Sequence, residues 1–173
     1  MGIEDIVRYG NKVLSEQTTE VPQLTDEIRE LIPKMYEIMH EANGVGLAAN
    51  QLGLPLRMFV YDVGEGPHAL INPKIMKKSG KQTGVEGCLS IPGLQGDVDR
   101  ANMVIVTGLD ETGQKVRLTG EGLLARVFQH EIDHLEGTLF IDRADPHTLE
   151  WIMHTHEEEM ALELEEEEEG EEE

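Results

Sequence analysis

The sequence predicts an α+β fold, with antiparallel strands packed around a central helix that bears the H-E-x-x-H motif. An N-terminal helix and a C-terminal helix running into a tail complete it. Three observations carry this prediction. Residues 25–43 place Ile28, Leu31, Ile32, Met35, Ile38 and Met39 at helical spacing. Residues 122–135 read as a second helix with Leu123, Leu124, Val127 and Phe128 on or near its apolar side. Between them, stretches 103–109 and 115–118 flank Asp110-Glu111-Thr112-Gly113, which reads as a hairpin turn.

Each element has local reasons. Thr25 suits the N-cap of the first helix and Asn43-Gly44 a stop. Pro33 lies inside and donates no backbone hydrogen bond, so a kink is expected there. Short strands are expected near residues 58–61 and 68–71. Gly137 follows the end of the second helix. A third helix is expected from Asp145-Pro146, with Asp as N-cap, Pro at the first position and Leu149, Ile152 and Met153 as its apolar face. It runs into Glu-rich low complexity that cannot bury enough apolar area to order itself. The expected organisation is a catalytic body over residues 1–146 and a helix and tail over 147–173.

The chain has 173 residues, with 14 Lys+Arg against 35 Asp+Glu and a formal net charge of −21. Twelve of the acids lie from Glu157 onward, and no Lys or Arg follows Arg143. Without that segment the body carries −9. Such a balance argues against direct nucleic-acid binding, which needs cations to displace counterions from phosphates. It equally disfavours docking on an anionic membrane. No apolar run approaches the roughly 20 residues of a membrane helix. The start, Met1-Gly2-Ile3-Glu4-Asp5, has early acids and no apolar core for a signal peptide. With a single cysteine, Cys88, no intramolecular disulfide is possible, and the cytoplasm is the expected compartment.

The strongest chemical signal is His130-Glu131-Ile132-Asp133-His134 on the second helix. Residues four apart project from one helix face, so both imidazoles can hold one metal with Glu131 beside it. A third ligand must come from elsewhere, leaving a position for water. His40, His68, a carboxylate or Cys88 could supply it. Cys88 sits in Glu86-Gly87-Cys88-Leu89-Ser90, where the glycine lets the backbone turn close to a ligand, although a lone cysteine is more often a small buried hydrophobe. Gly44-Val45-Gly46-Leu47-Ala48-Ala49-Asn50-Gln51 is a small-residue connection without the Lys and Ser/Thr of a phosphate loop. Gln51 there can donate to an oxyanion.

These three segments, in this order and separation, resemble the signature motifs of the bacterial peptide deformylases. The resemblance extends to Tyr9-Gly10-Asn11-Lys12-Val13-Leu14 and to the hairpin, covering roughly residues 3–145. It implies Cys88, His130 and His134 as metal ligands, Glu131 as catalytic acid/base, and Gln51 with the Leu89 backbone N–H as an oxyanion hole. It implies ferrous iron as the cellular metal, replaceable by zinc, nickel or cobalt, and N-formylmethionyl nascent peptides as substrate. Val45, Gly46, Leu123, Arg126 and Val127 would lie near the methionine pocket, Arg126 with its stem inside and its guanidinium at the rim. Glu86 and Arg100 would pair and brace the Cys88 loop. Asp133 is a further candidate to orient a ligand imidazole. Ribosome docking, if used, would not run through the acidic tail.

Three other readings remain open on the residues alone. A zinc peptidase would use H-E-x-x-H with a distant His or Glu. A cysteine hydrolase would use Cys88 as nucleophile and His130 as base. A non-enzymatic binding module would make the acidic tail the functional part.

Overall fold

Alternation along the strands sets the layers of the computed structural model, which describes residues 1–152. Strand β2 (Met58–Tyr61) is buried at every position, so both its faces are covered. Met58 and Val60 join one apolar cluster with Ile32, Met35, Ile38 and Met39 of helix α1 (Asp26–Glu41). Phe59 and Tyr61 join another with Ala125, Phe128, Ile132 and Leu135 of helix α2 (Leu123–Leu135). The two helices thus cover opposite faces of one sheet.

That sheet has five antiparallel strands in the order β1-β2-β3-β6-β7, with β1 Gly46–Ala48, β3 His68–Ser79, β6 Met103–Leu109 and β7 Lys115–Glu121. The β6–β7 hairpin closes where its turn residues predict, with Asp110 Oδ1 accepting from the Thr112 and Gln114 N–H groups. A second sheet, β4-β5-β8, holds β4 (Gln82–Cys88), β5 (Ile91–Arg100) and β8 (Glu150–Trp151). It packs Ile91 and Val98 against Leu139, Phe140 and Ala144.

Helix α1 starts as its cap predicts, with Thr25 Oγ1 accepting from Ile28 N–H at 3.3 Å. It continues through Pro33, which is exposed, so water can serve the Arg29 carbonyl left without its donor. It stops at Asn43, whose φ of 56° is left-handed.

The expected third helix is replaced by a single 3-10 turn (Pro146–Thr148) followed by β8. Asp145 does cap that turn, accepting from His147 N–H. Pairing with β5 then wins over helix extension. Asp145 and Ile152 donate backbone N–H groups to Asp97 and Gly93 carbonyls at 2.9 and 2.7 Å, and Thr148 Oγ1 accepts from Asp97 N–H. Leu149 lies against Gly96, where a Cβ would meet its Cδ2 at 2.8 Å. Met153 and the Glu-rich segment lie outside the described residues. No helix among those described is long and apolar enough to cross a membrane.

Candidate metal centre

Three elements converge on one cleft of about 570 Å³. Strand β4 ends in Cys88, α2 carries His130 and His134 one turn apart, and Gln51 follows β1 in a short 3-10 turn (Ala49–Leu52). One donor atom from each of Cys88, His130 and His134 lies within 4.8 Å of the others. Cys88 Sγ is 3.3 Å from His134 Nε2. His40 and His68 pair instead with Asp62 and Glu111, and neither joins the cluster.

The chain supports this cluster from outside. Glu86 Oε1 accepts from His130 Nδ1 at 2.7 Å, leaving Nε2 free to serve as a donor to a metal. Glu86 in turn receives a bidentate pair from Arg100, at 2.9 and 2.8 Å. Asp133, suggested as an acceptor for an imidazole, binds Arg100 and Arg143 instead. The short Asp133 side chain meets those guanidinium groups rather than an imidazole, and Glu86 on β4 contacts His130 instead. Asn50, fully buried, donates to the His134 carbonyl at 2.6 Å and ties the end of α2 to the turn carrying Gln51. Val7 and Tyr9 N–H groups bind the Gln51 and Ser90 carbonyls, so the N-terminal segment laces two motifs together. Asn50, Ser90 and Tyr9 fall within segments that carry the resemblance, yet the sequence assigns them no role, because their partners are remote along the chain.

The electrostatics favour a cation. Burial opposes ionisation of the Cys88 thiol, but the imidazoles of His134 and His130 hold it well below its ordinary value. Burial likewise opposes a charge on His130, yet Cys88, Glu86 and Glu131 push it up to about 10. Burial also resists charge on Glu86, and hydrogen bonds from Arg100 and His130 overcome it, keeping the carboxyl far below the usual range. The cluster therefore stabilises positive charge between a thiolate and two rings, and a divalent ion can take the place of the proton. One sulfur and two nitrogens suit iron, zinc, nickel or cobalt.

Glu131 is buried beside the cluster, where burial raises its pKa. Its Oε2 has no hydrogen-bond partner among the described residues. Gly46 makes room for it, since a Cβ there would lie 2.5 Å from Glu131 Oε1. Gly46→Ala should lower kcat by about 10²-fold with metal content unchanged, because a displacement of about 1 Å is enough for such a loss. Unchanged kcat would show that the carboxylate has slack. Gln51 is buried, with Oε1 held by Ala48 N–H and Nε2 within 3.2 Å of Ser90 Oγ and 3.6 Å of Cys88 Sγ. Leu89 follows Cys88 in the turn between β4 and β5, on the cleft wall.

Val45 and Leu123 line the cleft half-exposed, and Val127 lines it buried. Arg126 corrects the sequence expectation. Arg126 lines the cleft, but its side chain is only 9% exposed and its guanidinium pairs with buried Glu86 rather than standing at the rim. A carboxylate and two backbone carbonyls offer it more than water does.

The polypeptide deformylase family profile matches residues 3–150. A peptide deformylase of Carboxydothermus hydrogenoformans is 48% identical over 145 residues, 84% of this chain and 95% of that one. One of Desulfitobacterium hafniense is 51% identical over 144 residues, covering 83% and 96%. Among solved structures, peptide deformylase from Thermotoga maritima superposes with a TM-score of 0.80 at 41% identity, covering 82% of this chain and 97% of that one. The profile match over residues 3–150 takes in the five-stranded sheet, both helices and every donor of the cluster, and the chain belongs to the polypeptide deformylase family.

Proposed function

We propose that the deformylation characteristic of this family, removal of the formyl group from the N-terminal formylmethionine of new proteins, takes place in the Cys88–His130–His134 cleft. The observation that carries this reading is the set of three converging donors beside a buried carboxylate with a free oxygen. Those residues fit a divalent metal, which when bound would polarise a carbonyl and supply a nucleophilic water near neutral pH. Ferrous iron is the proposed cellular metal, with zinc, nickel or cobalt able to replace it.

The chain's own groups then divide the work. Glu131 takes the proton of the attacking water and delivers it to the departing amine. Gln51 Nε2 and the Leu89 N–H donate to the formyl oxygen as it becomes negative. The C–N bond breaks, giving formate and a free N-terminal methionine. Val45, Gly46, Leu123, Val127 and the Arg126 stem hold the methionine side chain by apolar contact. Gln51→Ala should cost about 10²–10³ in kcat, the effect of losing one oxyanion donor. A change confined to KM would reassign Gln51 to substrate binding.

The catalytic body is proposed to be residues 1–146, acting in the cytoplasm on nascent chains, with any ribosome contact made by the body. Deleting residues 157–173 should leave turnover of a formyl-Met peptide within about twofold, since a Glu-rich segment lacks the apolar area to pack on the body. A large loss would show that it does pack there. The test of the function is formate release from a formyl-Met peptide by anaerobically purified protein, with metal measured on the same sample. Absence of formate from the iron-, nickel- and cobalt-loaded protein would defeat the reading.

A further inference from the structure

Burying a guanidinium beside a cleft for a thioether is costly unless its N–H groups are satisfied, so the contacts of Arg126 carry information. Arg126 Nη1 donates to Glu86 Oε2 at 2.5 Å, Val98 O at 2.9 Å and Gly84 O at 3.4 Å, and Nη2 donates to Gln82 Oε1 at 3.2 Å. Glu86 is its only salt-bridge partner among the described residues, whereas Arg100 divides itself between Glu86 and Asp133. Gly84 leaves the space, since a Cβ there would meet Arg126 Nη2 at 3.0 Å.

The result is a saturated carboxylate. Glu86 Oε2 takes Arg126 Nη1 and Arg100 Nε, and Oε1 takes Arg100 Nη2 and His130 Nδ1. Two donors on each oxygen fix the carboxylate plane and its rotation. We propose that Arg126 is a positioning residue for the metal centre: by clamping Glu86 Oε2 it aims Oε1 at His130 Nδ1 and so directs His130 Nε2 toward the metal. This rests on the reading of His130 as a ligand. It gives Arg126 two functions on one side chain, an apolar stem on the cleft and a cationic head behind the ligands.

The test uses the full chain with Arg126→Met, which keeps the stem, and Arg126→Lys, which keeps a charge without the fork. Cobalt affinity of each apoprotein is measured against a competing chelator, with the visible spectrum of the cobalt protein, the Tm of the apoprotein and the KM for a formyl-Met peptide. Arg126→Met should weaken cobalt binding about tenfold, the lower end for a group supporting a ligand, and alter the spectrum. Arg126→Lys should recover part of that loss. With Glu86→Gln already present, Arg126→Met should weaken binding by less than about twofold, because its path to His130 is gone.

Unchanged cobalt affinity and spectrum with a lower Tm would overturn the inference and leave Arg126 a staple between α2 and the β4–β5 sheet. A raised KM with unchanged affinity would overturn it in favour of a pocket role alone. If Arg126→Met does not fold, Arg126→Lys decides by the same readings: wild-type affinity and spectrum overturn the inference. Failure of the wild-type protein to bind cobalt through sulfur would overturn the ligand reading, and the inference with it.

Discussion

Replacing Glu131 with glutamine should lower kcat for formyl-Met peptide hydrolysis by about 10³-fold, within the range for loss of a positioned acid/base. Glutamine keeps the shape of the side chain beside Gly46, so the cleft should stay intact. What it loses is the oxygen that can accept a proton. That oxygen, Oε2, is buried without a partner among the described residues, whereas structural carboxylates such as Glu86 have every lone pair engaged. Metal content should not change, since Glu131 is not one of the three converging donors. Formate release and metal analysis on the same preparation check both halves. Retention of more than about a tenth of wild-type kcat would remove Glu131 from proton transfer, because a positioned acid/base is worth at least 10²-fold.

Cys88→Ser should abolish both stoichiometric metal binding and formate release. Serine offers a hydroxyl with a pKa far above that of the thiol, so it does not supply the anionic soft ligand that the two imidazoles stabilise in Cys88. The same substitution separates the competing chemistries. An H-E-x-x-H zinc peptidase with a distant third ligand would keep its metal and its activity. A cysteine hydrolase would lose activity with serine but would work in protein shown to be metal-free. Loss of metal and activity together, with no activity in the chelated wild type, leaves only the metal-dependent reading.

Which parts of this architecture can be read along the chain follows from how local their causes are. Helices α1 and α2 declare themselves by apolar spacing and by Thr25, Asn43 and Gly137. The β6–β7 hairpin does so through Asp110 and Gly113. Strands β4 and β5 do not, because Gly84, Gly87, Gly93 and Gly96 interrupt the alternation that marks a half-buried strand. Strand β8 is read as helix from the sequence, since Asp145-Pro146 is a real helix start that leads into one turn before β5 offers better backbone partners.

The site divides the same way. His130, Glu131 and His134 lie within five residues on one helix, so their common face follows from helical geometry, and Cys88, Gln51 and Leu89 are fixed by motifs that travel with it. The sequence by itself therefore determines which residues are the candidates for the chemistry. Tertiary structure alone decides what holds those atoms. Glu86 reaches His130 across 44 residues, Asn50 reaches the His134 carbonyl across 84, and Arg126 turns away from solvent to meet Glu86 across 40. Such partners are selected by burial, which makes an unpaired charge or amide costly and leaves only the neighbours the fold supplies.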